Sequence, residues 1–286
     1  MKKNFLFGLL FLIFFSCSSK NTNQAPELLS QADQRLVRGN ELLQQGDYGE
    51  AGINFLKSYT DYSLSDDLIG CGASLTGLGI ALFNQSRNSE AELVFKKAEK
   101  YFESSKNFEE LSCFYVTKAL ILIENQKYDK ALALLNQAKE KGTHDQRIMP
   151  AIALICLKTQ KTDEAKIYLT NKNDSSFYFY VAGLLDFENK NFEDSKSNLE
   201  KALEIDKTKG NVTALAADLE ALSNLFIKTN DNQKASDFLL RSIKINILTN
   251  KIAKANKQIE RLKQISPDKT HDMNVENFFI ELWMNR

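Results

Sequence analysis

Six small residues, Ala51, Ala91, Ala131, Ala165, Ser195 and Ala235, follow one another at steps of 40, 40, 34, 30 and 40 residues. Steps of this size belong to arrays of helical hairpins, in which each unit buries its apolar face only against its neighbours. Other offsets from these anchors carry the same period. Twelve residues before them stand Gly39, Gly79, Ala119, Ala153, Gly183 and Ser223, small enough to let two helices approach closely. Four residues after them stand Phe55, Phe95, Leu135, Leu169, Leu199 and Leu239, one helical turn further on the same face. Seven after come Ser58, Ala98, Ala138, Lys172, Ala202 and Ser242, small except for Lys172. Three before come Tyr48, Asn88, Tyr128, Thr162, Phe192 and Asn232, aromatic in half of the units.

The stretch Gly39 to Ala51, GNELLQQGDYGEA, has a glycine, an apolar helix, the Gly46 turn and Tyr48 in an order that resembles the tetratricopeptide repeat. The resemblance extends over roughly residues 32 to 246. Its later units depart from the family pattern: none ends its second helix with proline, and Asp186 replaces an apolar residue in the fifth. The resemblance implies an all-α fold, a right-handed superhelical array of about six such hairpins with a C-terminal capping helix. Residues 27–246 are assigned to the array and 247–286 to capping helices. A 40-residue step implies helices lengthened by about six residues per hairpin over the usual 34. The 30-residue step implies a truncated unit beside the loop sequence NKNDSS, Asn171 to Ser176. Asp47 with Glu50, and Asn191 with Asp194, read as capping pairs that open second helices.

Composition agrees with helices and excludes several functions. Only 3 prolines occur, and 37 basic residues balance 37 acidic ones, so no global field attracts nucleic acid. The two histidines, His144 and His271, sit in polar loop sequences with no repeated carboxylate or thiol partner nearby. No phosphate-binding glycine loop and no metal-ligand spacing occurs, so the chain is expected to catalyse nothing and to hold no cofactor or metal. Asp186 is the best candidate if a catalytic acid exists.

The N-terminus points to export. Lys2 and Lys3 precede the apolar run Phe5 to Phe15, too short for a comfortable membrane span but suited to a secretory signal. FFSCSS then resembles a bacterial lipoprotein signal, which implies cleavage after Ser16, acylation of Cys17 and a polar tether up to Pro26. The expected location is the cell envelope, lipid-anchored, with the periplasmic face of the outer membrane favoured. Of the remaining cysteines, Cys71, Cys113 and Cys156, a bridge between the first two is conceivable, but core thiols are the simpler reading.

In similar repeats the first helix of each hairpin lines a concave groove. The residues eight and eleven before the anchors would face it: Leu43, Phe83, Ile123, Leu157, Phe187 and Ile227, and Ile80, Leu120, Leu154 and Leu184, with Asn40 and Asn224 at the two ends. An apolar lining of that extent marks a binding surface, unless these residues bury one another. The expected function is a membrane-anchored, non-catalytic scaffold holding other envelope proteins or an extended peptide in this groove. Two alternatives remain: a subunit that supports an enzyme, and a membrane-surface structural protein. The second would act through the seam Leu248, Ile252, Ala255, Ile259 and Leu262 with Lys251, Lys254, Lys257, Arg261 and Lys263 around it. The apolar ending with Val275, Phe278, Phe279, Leu282 and Trp283 is expected to dock on the array.

Overall fold

The computed structural model describes residues 27–141 and 145–266, and within them thirteen helices occur and no strand. Twelve helices form six hairpins: α1 (Glu27–Gln45) with α2 (Tyr48–Leu64), α3 (Leu68–Asn84) with α4 (Asn88–Ser105), α5 (Phe108–Glu124) with α6 (Tyr128–Glu140), α7 (Ile148–Lys158) with α8 (Thr162–Tyr168), α9 (Ser176–Glu188) with α10 (Phe192–Thr208), and α11 (Val212–Lys228) with α12 (Asn232–Leu248). A last helix, α13, spans Ile252–Ile265. The expected signal sequence, Cys17 and expected tether, with His144, His271 and the apolar C-terminal ending, lie outside the described residues.

Each of the six anchors lies in a second helix and is 0 or 1% exposed. The small residues twelve before them meet the large ones four after them. A methyl group on Gly39 would stand 2.8 Å from the Phe55 ring, one on Gly79 2.5 Å from Phe95, and one on Gly183 2.7 Å from Leu199. Two helices cross here with no room for a Cβ, so the matched columns record a steric requirement. Phe55 also lies against Gly77 of α3, where a Cβ would stand 2.4 Å from its ring, so one aromatic side chain joins α1, α2 and α3.

The connections repeat as strictly as the packing. Five residues before each anchor, Gly46, Ser86, Gln126, Gln160, Lys190 and Asn230 adopt φ between 61 and 81°. Fifteen after four anchors, Asp66, Lys106, Gly210 and Asn250 do the same, with φ between 54 and 65°. The following amide reaches back over the helix end, as in Asp47 N–H to Leu42 O at 2.9 Å and Lys127 N–H to Leu122 O at 2.8 Å, which satisfies carbonyls that would otherwise face solvent unpaired. The residue after the left-handed one often caps the next helix: Asp47 accepts from Glu50 N–H at 3.1 Å, Asp67 from Gly70 N–H at 2.9 Å and Asp231 from Lys234 N–H at 3.1 Å. Asn191 stands at an N-cap but its side chain makes no capping bond, so the expected pairing holds only for Asp47.

The truncated unit is the fourth. Its helices have 11 and 7 residues against 17 and 17 in the sixth. α8 ends before Lys172, which explains the one misfit in the column seven after the anchors.

Contacts divide the chain into two compact units. The first holds, of the described residues, 27–119 with 133–141 and 145, and the second holds 120–132 with 146–266. In the first unit, Leu42, Ala51, Phe55 and Ala81 form one core cluster and Ala32, Tyr62 and Cys71 another. In the second, Leu239, Ile243 and Ile247 of α12 pack on Ala255, Ile259 and Leu262 of α13. No disulfide joins the cysteines described: Cys71 and Cys156 are buried thiols and Cys113 is half-buried.

α13 caps α12 in a particular way. In the first unit Ser58 Oγ donates to Ala32 O at 2.9 Å and accepts from Ser74 Oγ of α3 at 2.9 Å. In the second, Ser242 Oγ donates to Ala216 O at 2.7 Å and accepts from Gln258 Nε2 of α13 at 2.9 Å. Both hydroxyls reach 26 residues back and are reached from 16 residues ahead. The capping helix therefore takes the place that the first helix of a further hairpin would occupy.

Candidate functional site

Burial separates the ten apolar residues expected along the inner face. Ile80, Leu120, Ile123 and Leu154 are at most 3% exposed and belong to the core. Leu43, Phe83, Leu157, Leu184, Phe187 and Ile227 are half-buried, and none of the ten is open to solvent. Hence only the second group is placed to line a surface.

Two of these six share a pocket in the second unit. Phe187 of α9 and Ile227 of α11, each eight residues before its anchor, line a depression of about 580 Å³ with Asn224, Lys228, Asn230 and Arg261. Equivalent positions on successive first helices bring the two apolar side chains together. The Phe187 ring is fixed by a tilted contact with Phe192 at a centroid separation of 6.1 Å. Asn224 comes from one turn earlier on α11, and its Oδ1 is buried without a hydrogen-bond donor in the protein. Asn230 is the left-handed residue of the α11–α12 turn, and Arg261 is supplied by α13.

The charges beside this pocket are inward-turned. Lys254 Nζ of α13 lies 2.9 Å from Glu220 Oε2 of α11, with both side chains largely buried. Burial lowers the pKa of Arg261 and the Glu220 charge opposes that shift. Burial likewise raises the Glu124 carboxyl and lowers the Lys251 ammonium, with opposite charges moderating each. Of the five cations that ring the capping helix in sequence, Lys251, Lys254 and Arg261 are thus wholly or partly withdrawn from solvent, while Lys263 contacts Glu260 at 2.8 Å.

Asp186 is half-buried, and Asn198 Nδ2 donates to its Oδ2 at 2.8 Å across the α9–α10 hairpin. Burial raises its pKa and that hydrogen bond opposes the rise, the balance expected of a structural acid. Among the described residues no group of three potential metal ligands occurs. What the pocket offers is an apolar floor, amide groups and a guanidinium, a chemistry of binding. The sequence named Phe187 and Ile227 by register and placed Asn224 in the eleven-before series. It gave Lys228 and Asn230 no role, because they follow the periodic part of the helix, and it saw Arg261 only as part of a charged ring.

No family model matches the sequence, and no curated protein matches it. Solved structures match its fold. The APC/C hetero-tetramer Cut9-Hcn1 aligns at a TM-score of 0.53 and 14% identity, over 85% of this chain and 55% of that chain. BtubC from P. vanneervenii aligns at 0.47 and 15% identity, over 79% of this chain and 93% of that one. A tetratricopeptide repeat protein from Parabacteroides merdae aligns at 0.46 and 14% identity, over 84% and 95%. The chain spans little more than half of the first of these, and at such identity the likeness concerns fold alone. The likeness to the first, together with the hairpin geometry, makes this an all-α protein with a helical-repeat fold.

Proposed function

We propose that the chain is a non-catalytic scaffold that binds an extended segment of a partner protein at the Phe187–Ile227 pocket. The supporting observation is the coincidence in one depression of two half-buried apolar side chains at equivalent repeat positions with the polar groups of Asn224, Lys228 and Arg261. Binding free energy would come from covering Phe187 and Ile227, and register from Asn224, Lys228 and Arg261. Compared with the membrane-surface reading of α13, this one is favoured because Lys254 is committed to Glu220.

The test is a Phe187→Glu, Ile227→Glu double variant in intact cells, with crosslinking and mass spectrometry of recovered partners. A folded variant is expected to lose the partners that the parent protein recovers, and unchanged recovery would overturn the proposal.

We propose further that Cys17 is acylated, so that the mature chain is held on an envelope membrane, with the periplasmic face of the outer membrane favoured. The FFSCSS sequence supports this, and among the described residues no helix is long and apolar enough to cross a membrane. Two acyl chains give stable anchoring where one does not. Cys17→Ser is expected to move the protein from the membrane to the soluble fraction on cell fractionation. Retention of that variant with the membrane rules out this anchor.

A further inference from the structure

Exposed apolar side chains are unevenly distributed. Among the described residues eight large ones are exposed, and six of these, Val37, Ile53, Leu56, Leu64, Leu93 and Phe108, fall in residues 27–119. Three lie along one face of α2: Ile53 is 46% exposed, Leu56 53% and Leu64 72%, at spacings of 3 and 8 residues that keep them on the same side. The opposite face of α2 buries Ala51, Phe55, Ser58 and Tyr62, so large apolar side chains stand on both sides of this helix, those outside sharing their face with Lys57 and Thr60. Leu93, 70% exposed, stands two residues after its anchor on α4, the position that Ile53 holds on α2. Exposed apolar side chains gathered on one side of such helices mark a contact with an apolar medium.

The path of the chain indicates which medium covers it. Nine residues separate Cys17 from Glu27, the start of α1, and the ten steps between the two reach at most about 35 Å when extended. α1 begins beside the end of α2: Tyr62 OH donates to Asp33, Arg35 pairs with Asp61, and Ser58 bonds Ala32 O. The first turns of α1 therefore lie toward the end of α2 that carries Leu64, the most exposed apolar residue of the face.

We propose that the outer face of α2 and α4, formed by Ile53, Leu56, Leu64 and Leu93, rests on the lipid surface to which the chain is anchored. This rests on the anchor reading for its geometry, since a tether of that length keeps the first hairpin at the bilayer. The attraction is apolar rather than coulombic. On these two helices the exposed lysines Lys57, Lys96, Lys97 and Lys100 are matched by the exposed acids Glu50, Glu90, Glu92 and Glu103. Lysine stems can lie along the interface while their ammonium groups stay in water. The face would insert shallowly and orient the protein, while the acyl chains supply most of the attachment.

The test uses residues 17–286 carrying Cys17→Ser, which nothing can acylate, so its outcome does not depend on whether the cell lipidates Cys17. Flotation with phosphatidylethanolamine–phosphatidylglycerol vesicles is expected to carry a fraction of this protein, with little change between low and high salt. Replacing Ile53, Leu56 and Leu93 together by glutamine should lower partitioning about tenfold with an unchanged melting curve, because all three side chains are exposed. Leu64→Gln alone, at a helix end, gives a smaller drop and serves if the triple variant unfolds. Equal partitioning of parent and variants overturns the proposal, as does the absence of any vesicle-bound fraction. Self-association of the parent chain that the variants lose, without vesicle binding, overturns it too and assigns the face to a second copy.

Discussion

Asp206 and Asp218 are the residues whose placement has the plainest physical consequence. Both are at most 2% exposed. Asp206 Oδ1 accepts from Ser176 Oγ at 2.8 Å and from Asn211 Nδ2 at 3.2 Å, whereas Asp218 Oδ2 has no donor. The charge therefore belongs on Asp206 and the proton on Asp218, which bonds its neighbour's carboxylate. Burial raises Asp206 to about 6 against its hydrogen bonds, and burial with the adjacent Asp206 charge raises Asp218 further. Tyr180 beside Asp218 and Lys209 near Asp206 are the other titratable groups acting with the pair. An acid raised in the folded state contributes its full stability below the unfolded value near pH 4 and loses it as pH rises through the folded value, here about 6 and above. Asp218→Asn keeps a donor for Asp206 and cannot ionise. Its melting temperature should exceed that of the parent protein at pH 8, by on the order of 1 kcal/mol or more in stability. The difference should close by pH 4. A pH-independent difference would show that Asp218 does not carry the raised titration. Neither acid was legible as special in the sequence, because each reads singly as a helix charge and only packing of α10 on α11 brings them together. Asp186 was legible, being an acid at an apolar position, but its partner Asn198 lies on the other helix of the hairpin and no local pattern marks it.

At the scale of the element, the helices were readable and their ends were not. Small and large residues at fixed offsets report the hairpin contact because close packing admits no other choice at Gly39, Gly79 or Gly183. The left-handed turn residue is as regular as these, yet only Gly46 signalled it. Ser86, Gln126, Gln160, Lys190 and Asn230 hold the same backbone position, and all but asparagine are ordinary residues with no preference for it. The turn is imposed by the two helices it joins and tolerated by its side chain. A non-glycine residue in that conformation costs roughly 1 kcal/mol. Lys190→Gly and Gln160→Gly, at exposed turn positions with φ of 64° each, should each stabilise the protein by about 0.5–1 kcal/mol, less the added freedom of glycine in the unfolded chain. Denaturant titration reads this directly. A lowered midpoint in both variants would mean that the turns are not strained.

For the whole molecule, periodicity picked out a set of apolar positions but not what covers each of them. A 40-residue step is two helices and two short turns, so every column keeps its side from one hairpin to the next. Whether a column is core or surface depends on neighbours that a repeat pattern does not name. That is why the ten apolar residues divided, with Leu154 fully buried and Ile227 half-buried at the pocket. The two classes should separate in experiment. Leu154→Ala leaves a cavity among close-packed neighbours and is expected to cost 2–5 kcal/mol, roughly, of stability. Partner recovery below its melting temperature should survive, because the pocket lies on other residues. Ile227→Glu places a carboxylate where one side is already open to water, and it should cost about 1 kcal/mol or less while abolishing recovery, because the partner would have to bury that charge. Denaturation midpoints and crosslinking yields for the same two proteins check both halves. If Ile227→Glu destabilises as much as Leu154→Ala, Ile227 is core and the pocket is not a surface that a partner covers. If Leu154→Ala loses partners while still folded, recognition in the second unit extends beyond the pocket to its buried neighbours.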